Sequence, residues 1–346
     1  MKNPFNKFYH VPNSQELLDI AFKRGMKSSA QVSLNAPILI KAKKKESKRI
    51  KVAVEALTTR IFKIIQTVPI IDELPDFYKE LAFILVDVDK LRLTLGKING
   101  ILPVLRKVEG EHQRQLKKIE APKDGDRLRR SAFGRISSII NKQNKNLEYL
   151  NSIRGSLQQI PSIDYTMPCV VIAGYPNVGK SSIVINISTN KRITVREYPF
   201  TTKQLKMGHL DIETKFDTIK IQCLDTPGIL DRPMSKRNSI ELQAVLALRL
   251  ISDLILFVFD PTPACGYDVE SQIELFNEIK DNFSKDGEIE ILIVFNKMDL
   301  AKDSEIAYLK ESLHLSEGDF YLTNALSGEN LDKIINTLKE RYRGND

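Results

Sequence analysis

Between the apolar run PCVVIA and the helix-like SSIVINIS the sequence reads GYPNVGKS, residues 174–181. The stretch fits GxxxxGK[ST], and its place between a strand and a helix is the setting that makes such a match specific. A glycine-bounded turn entered from a strand and left by a helix reads as a phosphate cradle. Backbone N–H groups of Asn177, Val178, Gly179, Lys180 and Ser181 would wrap the phosphates, with Gly174, Tyr175, Pro176 and Ser182 completing the loop. The helix N-terminus would add favourable potential. Lys180 would reach the β- and γ-phosphates, and the Ser181 hydroxyl would take one Mg²⁺ position. The bland alternative is a glycine turn before a helix, and the flanking pattern argues against it.

The surrounding grammar agrees. From residue 161 onward, short β-branched runs alternate with helical segments: CVVIA, IKIQCLD, LILFVFD, EILIVF and DFYLTN. This is the pattern of a doubly wound, mostly parallel α/β sheet, which binds ligands at the carboxyl ends of its strands. Residues 1–160 read differently. Asn13 and Glu16 stand at capping-box spacing. Ile50, Val54, Leu57, Ile61, Ile64 and Val68 fall on one helical face, and Phe77, Leu81, Ile84, Val88, Leu91, Leu95 and Ile98 repeat the rhythm over three heptads. Gly100 and Pro103 interrupt it, and residues 127–158 look helical again. The expectation is an all-α, antiparallel N-terminal helical bundle over 1–160, followed by an α/β domain over 161–346.

Charge separates the same halves. Residues 1–160 hold 31 Lys+Arg against 16 Asp+Glu, and the remainder holds 21 against 28. A basic half suggests a polyanionic partner, although solvated lysine-rich helices would give the same count. No apolar run approaches a membrane span, so no membrane partner is expected. Cys169, Cys223 and Cys265 lie far apart and read as ordinary thiols of a reducing compartment.

Downstream motifs name the ligand. LDTPG ends a strand: Asp225 would hold Mg²⁺ through water, Thr226 and Pro227 stand beside it as candidate nucleotide-binding residues, and Gly228 can offer its N–H to a γ-phosphate. NKMD, residues 296–299, follows another strand. Asp299 would accept from the N1–H and N2 amino donors of guanine, a pair that adenine lacks. Asn296 would bond the base edge and brace the cradle, while the Lys297 stem covers the ring. In TNALSGEN a backbone N–H at Ala325 or Leu326 could meet the guanine oxygen. In REYPFTTK a γ-phosphate sensor and metal ligand is expected at Thr201 or Thr202, with Thr202 favoured.

These elements stand in the unpermuted order of a translation-factor-type GTPase. Together, PSIDY, IAGYPNVGKSS, YPFTTK, GHLD, DTPGILDRP and CGYDVESQIELF resemble the nucleolar GTP-binding protein family, the Nog-type members of the Obg-related GTPases. VPNSQELLDIAFKR and RLRRSAFGRI resemble that family's N-terminal helical domain. The resemblance implies GTP and GDP as ligands, Mg²⁺ as cofactor, and a role in assembling the large ribosomal subunit or its precursor, with the N-terminal helices on ribosomal RNA. Lys43, Lys44, Lys45, Arg127, Arg129, Arg130, Arg135 and Lys142 then become candidate RNA phosphate contacts. The length resembles a shorter archaeal form, for which a cytoplasmic location is expected. A monomer is expected as well.

Many GTPases orient the attacking water with a glutamine directly after DxxG, but here Ile229 stands there, and Asp231 and Arg232 are the nearest polar alternatives. Lys180, Thr202, Gly228 and Asn177 are the candidate catalytic groups. Asn177 resembles a residue that helps hold K⁺ beside the phosphates in GTPases lacking the glutamine; alternatively the ribosomal particle completes the site in trans. Two further readings stand beside the switch: a GTP-dependent placeholder with negligible hydrolysis, and an Obg-type regulator of ribosomes, although the glycine-rich N-terminal domain of Obg proper is missing.

Overall fold

The computed structural model describes residues 3–33, 35–198, 204–214, 217–284 and 289–343. They form two compact units. One comprises Pro4–Leu74 and Leu85–Gln158; the other takes Asn3, Pro75–Ile84 and the chain from Gln159 onward. No described helix is long and apolar enough to cross a membrane.

The helical unit is built from α1 (Ser14–Lys27), α2 (Ile38–Thr67), α4 (Val88–Lys117), α5 (Pro122–Asn141) and α6 (Asn144–Gln158). α3 (Asp76–Leu85) belongs, up to Ile84, to the other unit. The Asn13 capping box forms as its spacing predicts: the Asn13 side chain accepts from the Glu16 N–H at 2.9 Å, and the Glu16 carboxylate accepts from the Asn13 N–H at 3.0 Å. The stripe Ile50, Val54, Leu57, Ile61 and Ile64 is fully buried. α1 lies so close to α2 that a Cβ at Gly25 would stand 2.7 Å from the Arg49 carbonyl oxygen. Glycine there is a packing requirement.

Two expectations in this region are corrected. The rhythm from Phe77 to Ile98 is two helices, because Asp87 takes extended backbone and caps Lys90 N–H at 2.9 Å, starting a new helix. Pro103 does not end α4. A proline inside a helix costs about 3 kcal/mol through its missing N–H and its ring's clash with the preceding turn, but Leu102, Leu105, Val108 and Leu116 are buried along the same face, at roughly 1.5–3 kcal/mol each.

Among the described residues the second unit is built on a seven-stranded sheet in the order β2-β3-β4-β1-β5-β6-β7. Its strands are β1 (Cys169–Ala173), β2 (Thr194–Glu197), β3 (Gln204–Glu213), β4 (Thr218–Asp225), β5 (Leu254–Phe259), β6 (Glu290–Phe295) and β7 (Phe320–Leu322). β2 and β3 pair antiparallel, as do β3 and β4; the other pairs are parallel. β1 and β5 are buried along their whole length, which their unbroken apolar sequences require. The remaining helices are α7 (Lys180–Ile187), α8 (Ser239–Leu246), α9 (Val269–Phe283), α10 (Asp303–Ser312) and α11 (Leu331–Arg343). α3 joins this unit through Tyr78, whose hydroxyl donates to Ile163 O at 2.9 Å and accepts from Ile163 N–H at 3.0 Å. All three cysteines are buried and free, and burial pushes the Cys223 thiol up to about 12.

Candidate active site

The carboxyl ends of β1, β4 and β6 bring the motifs together. The loop after β1 needs two left-handed glycines. Gly174 has φ +132°, and a Cβ there would lie 2.4 Å from Val258 O; Gly179 has φ +106°, and a Cβ would lie 2.1 Å from Asn296 Nδ2. Asn177 also has positive φ, +63°, a conformation that non-glycine residues hold at a cost of order 1–3 kcal/mol. A cavity of about 480 Å³ is lined by cradle residues including Asn177, Lys180 and Ser181, and by Asp225, Gly228 and Asp231.

Lys180 is buried and donates to Gly174 O and Tyr175 O, both at 2.6 Å, so its ammonium sits inside the loop. Burial holds its pKa below the ordinary lysine value, opposed by Asp231 and Asp225. Ser181 Oγ donates to Asp225 Oδ2. Asp225 is fully buried and pushed above the ordinary carboxylate range by desolvation. Its Oδ1 has no hydrogen-bond partner among the described residues. A buried orphan carboxylate oxygen beside a hydroxyl fits the donor chemistry of a hard cation. No group of three or more His, Cys, Asp or Glu able to hold a metal exists among the described residues, so an ion here would need further oxygens from a ligand.

Thr226 Oγ1 donates to Ile172 O at 2.9 Å, and Gly174 N–H donates to Leu230 O at 3.1 Å. The turn after β4 is thereby tied to the end of β1 and to the first residue of the cradle. Ile229 and Leu230 are fully buried. The position expected to lack a water-orienting glutamine is a core position. Thr201 and Thr202 lie outside the described residues.

At the base end, Asn296 Nδ2 donates to Val178 O at 2.8 Å, while its Oδ1 accepts from Ala325 N–H at 2.8 Å and from Thr323 Oγ1 at 3.2 Å. Asn186 of α7 donates to Ala325 O at 2.8 Å. The Asp299 side chain is exposed and makes no hydrogen bond among the described residues. Both amides expected to meet a guanine oxygen have internal acceptors: Ala325 N–H bonds Asn296, and Leu326 N–H bonds Asn324 Oδ1 at 3.0 Å. Lys297 has φ +63° and its Nζ pairs with the buried Asp260 at 2.6 Å, which fixes its stem.

Three participants are absent from the motif reading. Lys206 Nζ donates to Ser181 Oγ at 3.1 Å, because the β3–β4 register sets Lys206 opposite Asp225. Asp260 carried a weak signal, as the polar end of an apolar strand. Arg237 donates to Ile229 O and to Arg232 O, and its Nε and Nη1 have no partner among the described residues.

The basic candidates divide. Arg129 is not a free surface cation: its Nε lies 2.9 Å from the buried Glu46, which also pairs with Arg49 at 2.9 Å. Arg135 pairs with Glu111 at 2.6 Å, Arg130 with Asp126 at 2.8 Å, and Lys43 donates to Lys117 O at 2.9 Å. Lys44, Lys45, Arg127 and Lys142 are exposed and make no bond of this kind among the described residues.

A family model described as the NOG1 N-terminal helical domain matches residues 5–164, and one described as Nucleolar GTP-binding protein 1 (NOG1) matches residues 239–299. An uncharacterized protein of Methanocaldococcus jannaschii is 34% identical over 88% of this chain and 83% of its own length. The nucleolar GTP-binding protein 1 of Encephalitozoon cuniculi is 33% identical over 96% of this chain, which spans 62% of that relative. The Saccharomyces cerevisiae protein of the same name is 30% identical over 96% of this chain, which spans 51% of it. A crystal structure of a Plasmodium falciparum protein described as nucleolar GTP-binding protein 1 is 31% identical, covering 53% of this chain and 92% of that one, with a TM-score of 0.42. The cytoplasmic expectation is corrected by the Encephalitozoon cuniculi and Saccharomyces cerevisiae relatives, which are named as nucleolar proteins.

Proposed function

Because the chain belongs to the nucleolar GTP-binding protein 1 family, we propose that it is a GTP-binding and GTP-hydrolysing switch acting in assembly of the large ribosomal subunit, docked on ribosomal RNA through its basic helical unit. The observation that carries the nucleotide reading is Asn296, one buried side chain joining the phosphate loop at Val178 to the base loop at Ala325. That bridge ties the phosphate cradle to the strand end that carries Asp299 three residues further on. In this reading Asp299 accepts the two guanine donors, and the fixed Lys297 stem lies along the ring.

Ser181 and Asp225 would hold Mg²⁺ together with the nucleotide phosphates; when bound, the ion neutralises charge on the transferring phosphoryl group. Lys180 stabilises the same charge from inside the cradle, and Gly228 offers its backbone N–H. The Ile229 side chain is core and cannot orient water. Turnover of the chain alone is therefore slow, on the order of 10⁻³ s⁻¹ or below, as for unassisted switch GTPases. Two sources could complete the site. K⁺ held near Asn177 is one, supported by the exposed side chain and positive φ of that residue. A group supplied by the ribosomal particle is the other.

The test is GTP turnover of the purified chain, alone and with large ribosomal subunits or their precursors, in potassium and in sodium. Stimulation by the particle is expected. Equal rates in both salts remove the potassium role. The buried Ile229 also favours a second reading, a GTP-dependent placeholder; intact nucleotide binding with no stimulation selects it.

A further inference from the structure

We propose that Asp231 sets the GTP-versus-GDP preference of this site by competing with the γ-phosphate for the backbone N–H of Gly228. The proposal rests on the guanine-nucleotide reading above and deepens it.

Asp231 Oδ2 accepts from Gly228 N–H at 2.5 Å, three residues back along the turn. The turn is closed by Ile229 N–H and Leu230 N–H, which both donate to Thr226 O, at 3.0 and 3.2 Å. Leu230 O in turn accepts from Gly174 N–H at 3.1 Å, which fixes residue 231 beside the cradle. Asp231 is 8% exposed and lines the same cavity as Lys180, Ser181 and Asp225. A carboxylate buried to this extent needs compensation. Lys180 and Arg237 face it as cations; Asp225 faces it as a like charge.

Gly228 is the residue whose N–H the γ-phosphate requires. One N–H donates one strong bond, and two anionic acceptors at that point repel each other in a site partly shielded from water. A γ-phosphate must therefore displace the Asp231 carboxylate, whereas GDP ends at the β-phosphate and leaves the Asp231–Gly228 bond intact. The cost of displacing the carboxylate from Gly228 N–H falls on GTP alone. It also makes the turn bistable: the carboxylate holds it in one arrangement and the γ-phosphate in another, with Ile229 and Leu230 buried at its centre.

The test measures affinities of the full chain for GDP and for a non-hydrolysable GTP analogue with Mg²⁺, in wild type, Asp231→Asn and Asp231→Ala. The expected result is a rise in analogue affinity on the order of tenfold for Asp231→Ala, the scale of one charge-assisted hydrogen bond. A smaller rise is expected for Asp231→Asn, which keeps an uncharged acceptor, and in both variants GDP affinity should rise less than analogue affinity, so that the analogue-to-GDP ratio increases. An unchanged analogue-to-GDP ratio, with GDP binding intact, overturns the proposal. Loss of GDP binding in both variants also overturns it, since Asp231 would then build the site rather than compete for it. Absence of guanine-nucleotide binding by the wild type instead removes the reading beneath it.

Discussion

The Asn296 amide reaches 118 residues back along the chain to the carbonyl of Val178, at 2.8 Å, and the same Nδ2 would lie 2.1 Å from a Cβ at Gly179. The strand-end motif and the phosphate loop are thus packed directly against each other. Asn296→Ala removes bonds to Val178, Thr323 and Ala325 in a buried setting. The expected loss is about 3 kcal/mol of nucleotide binding, roughly a hundredfold in affinity, checked by titration with fluorescent GDP. Wild-type affinity in this variant would mean that the two loops hold their shape independently.

Arg129 and Lys44 separate stability from surface charge within the basic unit. Arg129→Ala leaves the buried Glu46 with Arg49 as its remaining cation, and the expected cost is about 3 kcal/mol of folding stability. Lys44→Ala together with Lys45→Ala should leave stability unchanged. It should weaken binding to ribosomal RNA and lower the salt slope by about one for each phosphate no longer neutralised. Denaturant melts and RNA binding at several salt concentrations distinguish the two outcomes.

Tyr78 ties α3 to the segment entering β1. Tyr78→Phe strands Ile163 N–H and C=O in the interior and should cost about 1–3 kcal/mol. Burial pushes the Tyr78 phenol up to about 12 from its ordinary 10.0. The neutral form is the one the folded state holds, so this contribution is fully present below pH 10.0. It is lost as pH rises toward about 12, because the unfolded chain ionises first. The stability difference between wild type and Tyr78→Phe should therefore narrow across that window in denaturant melts; a constant difference would contradict the assignment.

Legibility in the sequence followed the range of the interactions. The cradle could be read because its backbone conformation demands glycine at 174 and 179. The parallel strands announced themselves as unbroken apolar runs. α3 was hidden because its apolar spacing runs in phase with that of α4, and only Asp87 marks the break. Its place with the sheet depends on Tyr78 meeting Ile163, 85 residues away. Lys206 was invisible because nothing local sets it near Ser181; the pairing of β3 with β4 does. Charge counts made Arg129 look like its exposed neighbours, and only the packing of α2 against α5 turns it inward to Glu46.

The most direct measurement is the affinity of the full chain for GDP and ADP in Mg²⁺ buffer, with GDP and xanthosine diphosphate repeated for Asp299→Asn. On the proposed reading Asp299 takes two donors that adenine lacks, so wild type should prefer GDP by about a thousandfold or more. An asparagine presents an amide donor where xanthine offers a carbonyl, so Asp299→Asn should bind xanthosine diphosphate more tightly than GDP. Equal binding of GDP and ADP by the wild type, or an unchanged preference in the variant, would contradict guanine recognition through Asp299 and the switch built upon it.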